Sequence, residues 1–89
     1  MVIVEFTPNL RRHLELASCE VQGKTVRDVL DAVFVRNPRL PSYVLDDQRA
    51  LRKHVNVFVA GIAVADRVGL RDTVPDGCTV FIVQALSGG

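Results

Sequence analysis

The amino-acid sequence predicts an α+β domain in which one main helix packs on one face of a mixed sheet of four to five strands. Its 89 residues suffice for one small domain with a single core. Short apolar segments typical of strands occur near both ends of the chain, and a single segment has apolar residues at helical spacing. Because one helix covers only one face of such a sheet, the other face is available to a partner.

The N-terminal part of the chain predicts two strands. Residues 2–6 are apolar except for Glu5, which is typical of a strand that is buried on at least one face. Pro8 lacks an amide donor and ends it. The apolar alternation then changes phase after Leu16, so we expect a loop over residues 7–16 and a second strand over about residues 17–21.

The main helix is predicted to follow the turn at Gly23. Thr25 and Asp28 have the spacing of a capping box, and Pro38 ends the helix because it disfavours helical geometry at the residue before it. The apolar face of the helix comprises Val26, Val29, Leu30, Val33 and Phe34. The charged residues Arg27, Asp28, Asp31 and Arg36 are predicted to point to solvent.

The C-terminal half supplies the remaining strands. Residues 39–53 are expected to be irregular, with a short turn of helix near Pro41. Strands are predicted at residues 54–59, at the short segment 62–64, and at residues 78–85 after the Pro75-Asp76-Gly77 turn. Val55, Val57, Val80 and Ile82 should lie under the helix, and the residues of opposite parity, Phe58, Phe81 and Val83, should line the uncovered face as an apolar patch.

Composition excludes several classes of function. Eleven basic and ten acidic residues leave a net charge of +1, which does not favour a nucleic-acid partner. The longest uncharged apolar run, residues 57–65, is too short to span a membrane. The N-terminal residues do not resemble a signal peptide, so we expect a cytoplasmic protein in which Cys19 and Cys78 are free thiols.

For the side chains that could act as nucleophiles, acids, bases or metal ligands, a structural role is favoured. Packing is favoured over a persulfide relay for Cys19 and Cys78, and a polar structural role is favoured for His13 and His54, which have no third metal ligand at suitable spacing. Asp46-Asp47 is expected in a solvated loop. Several basic residues could dock an acidic partner, namely Arg49, Arg52 and Lys53 with Arg11 and Arg12. A solvated basic loop is the favoured interpretation.

The sequence ends with Leu86-Ser87-Gly88-Gly89, which we predict to be a flexible tail after a domain at residues 1–85. This ending resembles that of the MoaD/ThiS family. The resemblance extends to the hairpin of the two predicted N-terminal strands, to Gly23-Lys24-Thr25-Val26, to Val55-Asn56-Val57-Phe58-Val59 and to Asp76-Gly77. Members of that family are ubiquitin-like β-grasp sulfur carriers. The resemblance therefore implies a β-grasp fold.

The resemblance also implies a function for the tail. An ATP-dependent adenylating enzyme would activate the carboxylate of Gly89, beside Gly88. A sulfur donor such as a cysteine desulfurase or a rhodanese-like protein would then convert the adenylate to a thiocarboxylate, which passes sulfur to a downstream enzyme. The chain itself would be a carrier, would bind no cofactor and would leave ATP to its partner. The expected partner-binding residues are Phe58, Phe81, Val83, Leu86 and Ser87.

Two alternatives stay open. One is the small subunit of molybdopterin synthase, although that branch often has prolines where this chain has Gln84-Ala85-Leu86-Ser87. The other is a ubiquitin-like modifier that forms an isopeptide bond through Gly89. The sequence does not identify the final sulfur acceptor.

Overall fold

Five strands form one mixed sheet in the order β2-β1-β5-β3-β4 in a computed structural model that describes residues 1–84. The strands are β1 (Val2–Phe6), β2 (Cys19–Val21), β3 (Val55–Val59), β4 (Ile62–Ala63) and β5 (Thr79–Gln84). The helices are α1 (Pro8–Leu14), α2 (Val26–Arg36) and α3 (Pro41–Val44). The central strands β1 and β5 are parallel, and all other neighbours are antiparallel.

The main helix α2 covers one face of this sheet, as predicted. Its buried residues Val26, Val29, Leu30 and Val33 belong to the same hydrophobic cluster as Val55, Val57, Val80 and Ile82. The helix begins after Thr25, whose hydroxyl accepts a hydrogen bond from the Asp28 amide at 3.2 Å. The prediction of an α+β domain with one main helix on one sheet face is therefore confirmed.

The prediction of a loop over residues 7–16 is wrong, because helix α1 occupies Pro8–Leu14. Proline is favourable in the first turn of a helix, where its missing amide donor would have no partner. Leu10 and Leu14 are four residues apart and are both buried, so the apolar spacing was helical rather than alternating. Glu15 ends the helix with a left-handed backbone, φ 56°, and β2 begins only at Cys19.

Arg27 also departs from the prediction, since its side chain is not simply solvated. Its Nη2 donates hydrogen bonds to the carbonyl oxygens of Arg49 at 3.0 Å and Val68 at 3.1 Å. Its Nη1 is buried and has no hydrogen-bond partner within the described part of the chain. Arg27 therefore ties α2 to the two loops that flank β3 and β4.

The loop between β4 and β5 holds the start of α2 and is itself fixed by two carboxylates. Asp66 accepts hydrogen bonds from the Gly69 amide at 2.8 Å and from the Arg71 Nε at 2.9 Å. Asp72 accepts from the amides of Ala65 and Asp66, both at 2.9 Å. The hydrogen bond from Arg71 and those from the backbone lower the pKa of Asp66 to about 2.

We expect this carboxylate to make stability depend on pH in acid. Because the pKa of Asp66 is lower in the folded state than in the unfolded chain, its stabilising contribution is present above about pH 4 and is lost as the pH falls towards 2. Asp66→Asn should flatten the decline in unfolding free energy over this range, measured by denaturant titration. Asp47→Asn is the control, since this exposed carboxylate accepts no hydrogen bond within residues 1–84. Equal pH slopes for wild type and Asp66→Asn would contradict the expectation.

Candidate functional site: the open face of the sheet

The sheet face opposite α2 brings three of the predicted site residues together. Phe58 of β3 lies directly opposite Phe81 of β5, and Val83 lies opposite Asn56. Directly paired residues of neighbouring strands project from the same face of a sheet. Phe58, Phe81 and Val83 therefore form one apolar group, which we call the apolar patch.

The apolar patch is accessible and concave. Phe81 is 36% exposed, whereas Phe58 and Val83 are half-buried. They line an open depression of about 520 Å³ together with Ala60, Gly61, Cys78 and Thr79. A contiguous exposed apolar surface of this kind is typical of an interaction site.

The sequence interpretation missed the other four lining residues. Ala60 and Gly61 have positive φ angles of 50° and 84° and form the turn that brings β4 back beside β3. Such a turn leaves the edge of the depression without large side chains. Thr79 could have been identified from the sequence, because it is two residues from Phe81 in β5 and so lies on the same face of the sheet.

The apolar patch passes into a polar surface towards the end of β5. A second hollow of about 340 Å³ includes Phe58 and Val83 on one side and His54, Lys53 and Arg67 on the other. A third, of about 590 Å³, is lined by Asp46, Leu51, Arg52, Lys53, His54 and Arg67. The surface next to the end of β5 is thus predominantly basic.

The end of β5 is held on both sides. Gln84 pairs with Val55 of β3, and its amide donates to the Thr7 hydroxyl at 3.4 Å. The Thr7 amide in turn donates to the carbonyl oxygen of Ile82 at 3.2 Å. The chain beyond Gln84 therefore starts from a fixed point in the middle of the sheet. The predicted site residues Leu86, Ser87, Gly88 and Gly89 lie outside the described residues.

The cysteines, His13 and Asp46, which were also considered as candidates, take part in packing or in hydrogen bonds within the domain. Cys19 and Cys78 are free, half-buried thiols that pack against the core. His13 shares a hydrogen bond of 3.0 Å with the Tyr43 hydroxyl, and the Asp46 carboxylate accepts from the amides of Gln48 and Ala50. Among residues 1–84, no three His, Cys, Asp or Glu side chains are grouped closely enough to hold a metal ion.

Comparison with known proteins decides the family. The model of the ThiS family matches residues 5–89, which is nearly the whole sequence. The chain belongs to the ThiS family. A search of curated proteins found no match.

Solved structures of similar proteins agree with this membership of the ThiS family. A chain from the Amycolatopsis orientalis BexX/CysO complex is 31% identical, with a TM-score of 0.84 and complete coverage of both chains. SAMP1 from Haloferax volcanii is 28% identical with a TM-score of 0.79, covering 99% of this chain and 98% of that one. CysO from Mycobacterium tuberculosis is 25% identical with a TM-score of 0.80, covering 97% and 100%.

These relatives confirm the predicted β-grasp, ubiquitin-like fold and the resemblance to MoaD/ThiS sulfur carriers. They support the general class of a sulfur carrier or ubiquitin-like modifier, and small proteins of the ThiS family are generally carriers rather than enzymes. No helix within residues 1–84 is long and apolar enough to cross a membrane.

Proposed function

We propose that this chain is a sulfur carrier whose C-terminal carboxylate, at Gly89, is adenylated by an ATP-dependent partner and converted to a thiocarboxylate. The observation that carries the proposal is the attachment of a Gly-Gly ending to a central strand that is hydrogen-bonded on both sides up to Gln84. This arrangement anchors the start of the segment that leads to the two terminal glycines beside the apolar patch.

The chemistry divides between carrier and partner. A carboxylate is a poor electrophile, so it must first form a mixed anhydride with AMP, with pyrophosphate as the leaving group. A persulfide sulfur from the donor then displaces AMP, and reduction of the resulting acyl disulfide by a thiol leaves the thiocarboxylate. Glycine suits the terminus because the absence of a Cβ lets the backbone enter a confined channel. The chain itself supplies the terminus and the docking surface.

The partners follow from this division of labour. The structure of similar sequence from Amycolatopsis orientalis is a complex of CysO with BexX, which supports a protein partner for this chain too. We propose an adenylating enzyme, a sulfur donor such as a cysteine desulfurase or a rhodanese-like protein, and a sulfur-accepting enzyme, which work in the cytoplasm. ATP is used by the adenylating enzyme and is not held by the carrier.

A second candidate function is protein modification. It is favoured by the likeness to SAMP1 of Haloferax volcanii, small archaeal modifier protein 1. In this case the adenylated Gly89 would form an isopeptide bond with a target lysine. Both functions share the adenylation step and differ in the nucleophile that follows.

Intact mass measurement of the protein purified from its native host separates these functions. Replacement of one oxygen by one sulfur at the C-terminus supports the carrier. Attachment of a polypeptide through Gly89 supports the modifier. An unmodified terminus, combined with no pyrophosphate release by the cognate adenylating enzyme, would contradict both.

The apolar patch is proposed to dock the adenylating enzyme, and Phe81→Ser tests this. Removing a central aromatic anchor commonly costs about 2 kcal/mol or more of binding energy, so we expect the dissociation constant to rise at least about tenfold. Calorimetric titration with the adenylating enzyme provides the measurement. Val35→Ser is the matched control, because Val35 is 81% exposed on the outer side of α2. Unchanged affinity of a folded Phe81→Ser protein would exclude the apolar patch from this interface.

A further inference from the structure

Five basic residues lie on segments that flank the end of β5 and form what we call the basic collar. It comprises Arg11 and Arg12 of α1, Arg52 and Lys53 before β3, and Arg67 in the loop after β4. Strands β1 and β3 are the two neighbours of β5. Helix α1 follows the end of β1 and residues 52–54 precede the start of β3, so these two segments lie on opposite sides of the end of β5. Neighbouring strands are about 4.8 Å apart, which places the collar on both flanks of the emerging chain.

The charges of the collar, unlike those of two other arginines, are not neutralised by ion pairs within residues 1–84. Arg49 pairs with Asp31 at 3.2 Å and Arg71 with Asp66 at 2.9 Å. Within residues 1–84, none of the five collar residues forms an ion pair. Arg52 and Arg67 donate only to the backbone carbonyl oxygens of Ser42, Arg52 and Val55.

The acidic residues close to the collar do not cancel it. Asp46 shares a hollow with Arg52, Lys53 and Arg67, but its carboxylate already accepts hydrogen bonds from two amides of its own loop. Glu15 follows α1 as an exposed residue. In the hollow that Asp46 shares with the collar, one carboxylate therefore faces three cations.

We propose that the basic collar docks onto an acidic protein surface that surrounds the entrance through which the partner enzyme receives the C-terminal tail. This proposal rests on the function proposed above. The collar adjoins the apolar patch through the hollow that Phe58, Val83, Lys53 and Arg67 share, so one partner can contact both. A protein surface fits better than a nucleic acid, because the collar adjoins an apolar patch and the net charge of the chain is only +1.

The two lysines of the chain provide a matched test. Lys53 belongs to the collar. Lys24, the only other lysine, is exposed in the turn before α2, where its backbone carbonyl oxygen accepts a hydrogen bond from the Val74 amide. Lys53→Glu and Lys24→Glu make the same change of charge at the two ends of the molecule. Neither side chain makes a hydrogen bond or an ion pair within residues 1–84, so both variants should fold.

The measurement is pyrophosphate release by the cognate adenylating enzyme as a function of carrier concentration. We expect Lys53→Glu to raise KM about 3- to 10-fold with kcat unchanged, and Lys24→Glu to leave both constants within about twofold of wild type. Arg12→Glu, on the other flank of β5, should raise KM similarly. Higher salt should raise the KM of wild type and reduce the difference from Lys53→Glu, because salt screens these charges.

Three results would each contradict a different proposal and can be distinguished from one another. Absence of pyrophosphate release with wild-type carrier would contradict the proposed function itself. Release with equal KM values for Lys53→Glu and Lys24→Glu would reject the collar and leave the proposed function in place. Equal KM values combined with Lys53-dependent binding of a single-stranded RNA oligonucleotide in a titration would assign the collar to nucleic acid instead.

Discussion

Deletion of Gly88 and Gly89 should abolish adenylation of the chain. In the proposed reaction the terminal carboxylate must reach the α-phosphate of ATP inside the partner, and two extended residues span about 7 Å. A displacement of about 1 Å at a reacting centre can cost on the order of a hundredfold in rate. The deletion would also bring Ser87, which has a Cβ and a hydroxyl group, to the end of the channel. Pyrophosphate release with the cognate enzyme, compared for full-length and truncated protein, measures the effect.

The truncated protein also provides its own control. It retains the apolar patch and the basic collar, so it should inhibit adenylation of the full-length protein competitively. Its thermal midpoint should equal that of wild type, because two glycines contribute no side-chain burial. Equal turnover of the two proteins would contradict both the carrier and the modifier functions and would leave a binding domain with a dispensable terminus.

Leu30→Ala should destabilise the fold by about 2–5 kcal/mol. Leu30 is fully buried at the centre of α2, and a small domain has only about 5–10 kcal/mol in total. The missing side chain leaves a cavity between α2 and the strands that carry the open face. Denaturant titration should show a midpoint well below that of wild type.

Val35→Ala is the matched control for this loss, because Val35 lies on the same helix but is 81% exposed. Its unfolding free energy should stay within about 0.5 kcal/mol of wild type. If Leu30→Ala unfolded at the wild-type midpoint, the buried register of α2 would be wrong.

The parts of the fold that could be predicted are those in which local signals agree. In α2, the Thr25 cap, the apolar spacing from Val26 to Val33 and the following proline all indicate the same helix. In β3 and β5, strict alternation separates Val57 and Ile82 from the residues of the open face. This alternation also predicted that Phe58, Phe81 and Val83 would share a face, since the side-chain period of a strand is two.

The remaining parts depend on contacts between distant segments. The seven-residue helix α1 is too short to be stable alone, and it persists because Leu10 and Leu14 reach the core. Arg27 has the spacing of a solvent-facing residue, yet the carbonyl oxygens of Arg49 and Val68 lie where its guanidinium can reach them. The basic collar gathers residues from three segments, so its charge is diluted when the composition is summed along the chain.

The position of β5 between β1 and β3 has a mechanical consequence. A partner that draws the chain beyond Gln84 into a channel exerts a pulling force along the axis of β5. The hydrogen bonds to β3 run nearly perpendicular to that axis, and those to the parallel strand β1 are slanted to it, so the force is shared among them as shear. Peeling an edge strand would break such bonds one at a time. The domain should therefore stay folded when a partner pulls on the chain beyond Gln84.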